Sequence, residues 1–176
     1  MTASPVRPVG PITPFLWFDS QAEEAAELYA SLFADSGIDH VSRYTDAGRE
    51  VHGREPGTAM TVNFHLGDQP FIGLNGGPVY QFSPAVSFVI SCETQEEIDG
   101  LWDRLGEGGD PTAQQCGWLK DRFGVSWQVV PAALGRILGD PDPDRARRAT
   151  EAMMAMKKLD IAQLERAADG VGAVAG

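Results

Sequence analysis

The side chains able to do chemistry are few. The sequence holds three imidazoles, His40, His52 and His65, and two thiols, Cys92 and Cys116. A metal ion needs imidazole, thiolate or carboxylate donors brought together, and the two cysteines lack the close Cys-x-x-Cys spacing of a zinc knuckle. His40 and His52 fall at or near loops, the setting of surface residues. A nucleophilic cysteine wants a cationic or imidazole neighbour to hold its thiolate. Cys116 sits beside Gly117 and Trp118, with Lys120 near in sequence and no histidine close by, so packing is its expected role. The neutral hydrogen-bonding residues Asn75, Ser87 and Gln128 complete the set of candidates.

These residues must be positioned by one acidic globular chain of 176 residues with a formal charge of −11. Hydrophobic residues at 43% and aromatics at 9% are ample for a core. The acidity argues against nucleic acid or an anionic membrane as partner. No apolar stretch approaches the roughly 18 residues of a membrane span. The N-terminal MTASPVRPVG lacks the apolar core of a secretory signal, and two cysteines are too few for a disulfide scaffold, so a cytoplasmic protein with reduced thiols is expected. Residues 1–103 hold 4 basic and 15 acidic side chains, whereas 104–176 hold 10 of each. Solubility is the main reading of that asymmetry, with a preference for neutral or cationic ligands as its remainder.

The fold is legible in an internal repeat. Residues 14–32 align with 87–105 at a constant offset of 73, placing Phe15 on Phe88, Glu23 on Glu96, Glu24 on Glu97, Leu28 on Leu101 and Leu32 on Leu105. Each copy reads as a short buried strand followed by a helix. Ser20 with Glu23, and Thr94 with Glu97, have capping-box spacing. Ala25, Leu28, Tyr29 and Leu32, like Ile98, Leu101, Trp102 and Leu105, recur at helical spacing and should cover the back of a sheet. Further strands are expected at 38–44, 59–66 and 69–75, the last two a hairpin around Gly67-Asp68, and at 115–120 and 125–130. The pattern is βαβββ twice, with the second copy's early strand short or irregular. Helices follow at 132–138, 142–158 and 161–168, with Ala149, Met153 and Met156 as a packing stripe. Arg145, Arg147 and Arg148 read as a solvated face or as salt-bridge partners. The expected organisation is an α+β fold over 11–131, in modules 11–78 and 84–131, with a helical extension over 132–168 and flexible ends at 1–10 and 169–176.

Three stretches carry a resemblance: ITPFLWFD at 12–19, QPFIGLNGGP at 69–78 and QCGWLKDRFGVSWQ at 115–128. With the doubled βαβββ pattern, they resemble the vicinal-oxygen-chelate superfamily of glyoxalase I, extradiol dioxygenases and bleomycin- and fosfomycin-resistance proteins. The chain is most similar to its PhnB-like branch, often labelled demethylubiquinone methyltransferase-like. The resemblance implies two modules whose strands curl into a cup around a ligand, frequently in a homodimer. It also implies metal-ligand positions on the first and last strand of each module, here Pro14, Gly73, Ser87 and Gln128. Pro14 and Gly73 have no side-chain donor, Ser87 is a poor ligand and Gln128 offers one neutral amide oxygen. Gln128 also has no titratable proton near neutral pH, so it cannot be a glyoxalase-type base. No metal and no cofactor are therefore expected.

Alternation from Gly73 and Gln128 predicts a mostly apolar cup lined by Leu16, Met60, Val62, Phe64, Phe71, Asn75, Val89 and Val130, with Ser87 and Gln128 as polar groups, and His65 pointing outward. The expected function is metal-free binding of a small molecule by a cytoplasmic homodimer, with no nucleic-acid or membrane partner. The alternative is a metal-independent lyase or isomerase polarising its substrate with Gln128, Ser87 and Asn75. Methyl transfer lacks a Gly-rich loop between a strand and a helix to hold a methyl donor. The polar loop 45–57, with Arg43, Arg49 and Arg54 on or beside it, reads as a solvated connection or as a cover for the cup mouth.

Overall fold

The computed structural model describes residues 9–171, so most of the ends expected to be flexible lie outside the described residues. The chain divides after Gln81 into two units. The first runs β1 (Phe15–Phe18), α1 (Ala22–Ala30), β2 (Gly37–Arg43), a four-residue helix α2 (Arg49–His52), β3 (Ala59–Leu66) and β4 (Gln69–Asn75). Its sheet has the order β1-β4-β3-β2, with β1 parallel to β4 and the other pairs antiparallel. The second unit runs β5 (Phe88–Cys92), α3 (Gln95–Gly106), β6 (Trp118–Lys120), β7 (Ser126–Pro131), α4 (Leu134–Leu138), α5 (Pro143–Ala155) and α6 (Ile161–Ala168). Its sheet has the order β5-β7-β6, with β5 parallel to β7. This is the expected α+β architecture of βαβββ-like modules with added C-terminal helices. Residues 106–113 form no strand in the second copy, only a 3-10 turn at Pro111–Ala113.

The two helices start by different means. Thr94 and Glu97 form the predicted capping box, each side chain satisfying the other residue's backbone N–H. Ser20 does not cap α1. Its N-cap is Gln21, which makes no side-chain cap. The buried N–H of Ala22 is instead taken by Asn75 Oδ1 at 2.8 Å, while Asn75 Nδ2 donates to Ala59 O at 3.0 Å. The cap comes from the last residue of β4, brought in by tertiary folding. It leaves α1 close to the sheet, where Ala22, Ala25, Ala26 and Tyr29 are buried.

The turn after β4 explains QPFIGLNGGP. Gly76 N–H donates to Phe18 O and Gly77 N–H to Asp19 O, carrying the β1–β4 pairing one turn further. Trp17 Nε1 donates to Gly77 O at 2.8 Å. A Cβ on Gly76 would lie 2.3 Å from the Trp17 indole carbons, so only glycine lets the backbone lie flat against that ring.

In the second unit the same accounting explains WLKDRFGVSWQ. Asp121 is buried, and its Oδ1 accepts from Phe123 N and Val125 N, both at 2.9 Å. Its Oδ2 accepts from Trp127 Nε1 at 2.8 Å, tying the β6–β7 turn to the core. Cys116 and Gly117 both have positive φ, and their N–H groups donate to Met156 O and Lys157 O. The C-terminal segment is thereby docked. Gln95 repeats the docking from α3, donating to Leu159 O and accepting from Ile161 N. The stripe behaves as packing: Ala149 lies with Ile137 and Ala168, and Met153 packs on Met156, Leu159 and Leu164. The basic cluster is consumed locally. Arg145 bridges Asp140 and Asp169, Arg147 pairs with Asp144 and Glu151, and Arg148 donates to the last carbonyls of α6.

Two stability predictions follow from these turns. Gly117→Ala would hold a side chain at φ +84 with its Cβ 2.9 Å from Val129 O, and should cost roughly 1–3 kcal/mol in urea unfolding. Asp121→Ala should cost about 3 kcal/mol or more by leaving buried donors unpaired, and the near-UV signal of Trp127 should change with it.

Candidate functional site

The sheet of the first unit has one face under α1 and one free of it. That of the second has one face under α3; on the other Val130, expected in the cup, packs instead with Met156, Leu159 and Leu164 of the C-terminal segment, leaving the Gln128 and Val89 end uncovered. In the first unit, Leu16, Phe18, Val62, Phe64, Phe71 and Asn75 are buried on the α1 side. Tyr29 of α1 packs on Phe64 at 6.3 Å between ring centroids, and a Cβ on Gly73 would meet that of Ala22 at 3.1 Å. Successive strand side chains point to opposite faces, so the uncovered face carries Phe15, Trp17, Thr61, Asn63, Ile72 and Leu74. Phe15 is 55% exposed. Tyr80 meets Trp17 edge-on at 5.0 Å.

In the second unit, Cys92, Trp127, Val129 and Leu119 are buried on the α3 side. Phe88 packs on Trp127 at 5.4 Å between ring centroids. Val89, paired with Gln128, lies on the uncovered face and is 59% exposed. Gln128 Nε2 donates to Ser87 Oγ at 2.9 Å. That bond leaves the Ser87 hydroxyl proton and Gln128 Oε1 available, one donor and one acceptor side by side.

The expected lining is therefore corrected in the first unit. Leu16, Val62, Phe64, Phe71 and Asn75 were expected to face the cup, and they form the core beneath α1. The pairing of Phe64 with Phe71 and of Val62 with Gly73 is as expected, but the face is the opposite one. The reason is a single residue. Three residues separate Phe18 from Ala22, and only two separate Cys92 from Gln95. The helices thus align at an offset of 73 and the strands at 74, and a one-residue slip exchanges the faces of a strand. Asn75 is buried, and its amide oxygen and nitrogen are both committed to the fold through its two hydrogen bonds. Small residues on α1 and Gly73 on β4 were the available sign that this face lies close under a helix.

The same shift moves the metal-ligand positions of the first unit. Gly73 faces α1, and the uncovered face of β1 and β4 carries Phe15, Trp17, Ile72 and Leu74, which have no ligating atom for a divalent ion. Ser87 and Gln128 bring a hydroxyl and an amide already bonded to each other, with no negative charge to offset dehydration of the ion. The donor set does not fit the metal of the glyoxalase-like enzymes. Among the described residues, no three His, Cys, Asp or Glu side chains are grouped to hold a metal.

His65 also changes face. It lies with Thr61 and Asn63 on the uncovered side, its Nδ1 2.8 Å from Asp39 Oδ1. His40 is exposed on β2, and His52 packs tilted on Tyr44 at 4.5 Å between ring centroids. Burial, with the Glu97 carboxylate adding to it, pushes the Cys92 thiol up to about 11 and keeps it protonated at neutral pH. Cys116 rests against Met154, Sγ to Sδ 3.7 Å, with Gln115 Nε2 at 3.4 Å. No cation or imidazole among the described residues hydrogen-bonds that thiol.

A helix long and apolar enough to cross a membrane is absent from the described residues. The sequence profile of the 3-demethylubiquinone-9 3-methyltransferase family matches residues 10–130. Among solved structures, a putative 3-demethylubiquinone-9 3-methyltransferase, PhnB protein, from Bacillus cereus is 36% identical, with a TM-score of 0.58 over 69% of this chain and 99% of that one. A protein from Pseudomonas aeruginosa is similar in fold at 23% identity, with a TM-score of 0.52 over 68% of this chain and 96% of its own. A glyoxylase/bleomycin resistance protein/dioxygenase domain from Frankia sp. EAN1pec is 16% identical, with a TM-score of 0.42 over 71% and 93% of the two chains. No curated protein matches the chain. The family match stops where α4 to α6 begin, and it spans the three stretches whose turns and sheet faces are described above: the chain belongs to the PhnB-like 3-demethylubiquinone-9 3-methyltransferase family.

Proposed function

We propose that the protein binds an uncharged or cationic small molecule without a metal, as a homodimer, with Gln128 and Ser87 as its polar anchor and Val89 beside them. The observation that carries this reading is the Gln128–Ser87 pair on the uncovered face of the second sheet. A donor and an acceptor held together suit a hydroxyl, amide or carbonyl group of a ligand, and the exposed Val89 suits its apolar part. The aromatic and aliphatic groups on the uncovered face of the first unit, Phe15, Trp17, Ile72 and Leu74, are of the same ligand-binding kind. The net charge of −11 disfavours anionic ligands.

Methyl transfer finds no such support. Among the described residues, the Gly76-Gly77 turn leads from β4 into a turn, and the glycines at 106–109 follow α3, so neither glycine cluster sits between a strand and a helix. Neutral groups can stabilise a developing oxyanion in a dry site, and Gln128 and Ser87 would be the groups to do so.

Elemental analysis of the untagged protein, with native mass spectrometry on the same sample, should find no stoichiometric zinc, iron, manganese or nickel and a mass of two chains. Stoichiometric metal would sink the metal-free reading, and a single-chain mass the dimer. Against a panel of neutral, cationic and anionic small molecules, Gln128→Ala should weaken the best ligand about tenfold, the worth of one or two hydrogen bonds. If a bound compound is turned over, and Gln128→Ala lowers turnover more than affinity, the protein is an enzyme instead of a binder.

A further inference from the structure

We propose that His52 is the pH-sensitive catch of a strap, residues 45–57, which fastens onto Asp19 beside the Gly76-Gly77 turn of the first unit. The base of the strap is closed by two backbone bonds, Tyr44 N–H to Thr58 O at 2.9 Å and Gly57 N–H to Tyr44 O at 2.8 Å. Within it, α2 is a single helical turn flanked by Gly48 and Gly53, both of positive φ, and none of its residues is buried. So short a helix has little stability of its own. Beyond its own backbone bonds and the Arg49–Glu55 pair, what ties it to its flanks is the imidazole.

His52 Nδ1 is 3.0 Å from the backbone nitrogen of Arg54. A backbone amide can only donate, so Nδ1 is the acceptor and carries no proton. The proton is on Nε2, which donates to Ala47 O at 3.2 Å. The ring lies on Tyr44, whose hydroxyl donates to Asn75 O at 2.7 Å. One neutral ring thus ties the two ends of the strap's helical turn to each other and to the core. The next residue does the fastening. Arg54 Nη2 donates to Asp19 O at 2.8 Å and to Asp19 Oδ1 at 3.1 Å, and it lies 3.0 Å from where a Cβ on Gly77 would stand.

Protonating the ring puts a hydrogen on Nδ1 facing the N–H of Arg54. A hydrogen bond becomes a meeting of two donors. The charged groups of the strap and its footing do not offset this. Arg49 is paired with Glu55 and Arg54 with Asp19, and Asp46 and Glu50, also on the strap, make no hydrogen bond to the ring. The sign is therefore fixed: the strap is fastened while His52 is neutral and released when it is protonated. Release frees Arg54 from Asp19, whose carbonyl also accepts from Gly77 N–H. Because Gly77 O holds the Trp17 indole, the effect reaches a residue of the uncovered face.

Amide hydrogen exchange of the full-length protein from about pH 8 to about pH 5, corrected for the intrinsic rates, tests the catch. Protection of the His52, Gly53 and Arg54 amides should fall at least about tenfold at the acid end, while the β3 amides keep theirs. Ring nitrogen shifts at the alkaline end should report the proton on Nε2. His52→Asn keeps an acceptor near the Nδ1 position but does not titrate, so its strap should stay protected at both ends. Flat protection in the unmodified protein, a proton on Nδ1, or an equal pH response in the Asn variant would each overturn the proposal. The wild-type measurement stands alone if the variant does not fold.

Discussion

A single helix can cover only one face of a sheet, and strand side chains alternate between faces, so every strand residue in each unit is committed either to the core or to the uncovered side. That commitment is made by the helix–sheet contact. In the first unit Ala22 and Gly73 meet closely and Tyr29 rests on Phe64. In the second, Ile98, Trp102 and Leu105 of α3 are buried on its covered side. What a ligand could touch on the first sheet is what the α1 contact leaves over, and on the second the C-terminal segment takes Val130 as well.

The length of the connection entering each helix sets which residues are left over. The extra residue between β1 and α1 removes the local capping box and is matched by a cap from elsewhere, Asn75, whose amide satisfies Ala22 and Ala59 at once. An asparagine that could have been a polar group in a binding site is thus a structural fastener. Asp121 has the same character in the second unit, where its carboxylate closes one turn and holds the Trp127 indole. The segments by which the family is most readily recognised are largely hydrogen-bond accounting for tight turns. They report the fold more directly than they report chemistry.

What is left for chemistry is sparse and neutral. Ser87 and Gln128 face the uncovered side of the second sheet, and the first unit presents aromatic and aliphatic side chains there. Glyoxalase-like chemistry needs a charged ligand set and a titratable base, and the residues at those positions are of neither type. Membership of the family therefore constrains the scaffold tightly and the reaction hardly at all.

Much of the fold could be read from residue order: the doubled βαβββ pattern, the Gly67-Asp68 hairpin with Phe64 opposite Phe71, the Thr94–Glu97 capping box and the packing role of Ala149 and Met153. Each depends on periodicity or on neighbours within a few residues, which the chain carries locally. That the candidates Val89 and Gln128 share one face of the second sheet, with Ser87 beside them, was legible for the same reason. The facing of the first unit's candidates was not, because it depends on how α1 docks, and Leu16, Val62, Phe64, Phe71 and Asn75 became core through a one-residue difference between two loops. Sequence alone determined the elements, their order and the neutral chemistry of the candidates. Only the tertiary structure decided which side of the first sheet is open, since a strand's two faces become inequivalent when a helix covers one of them.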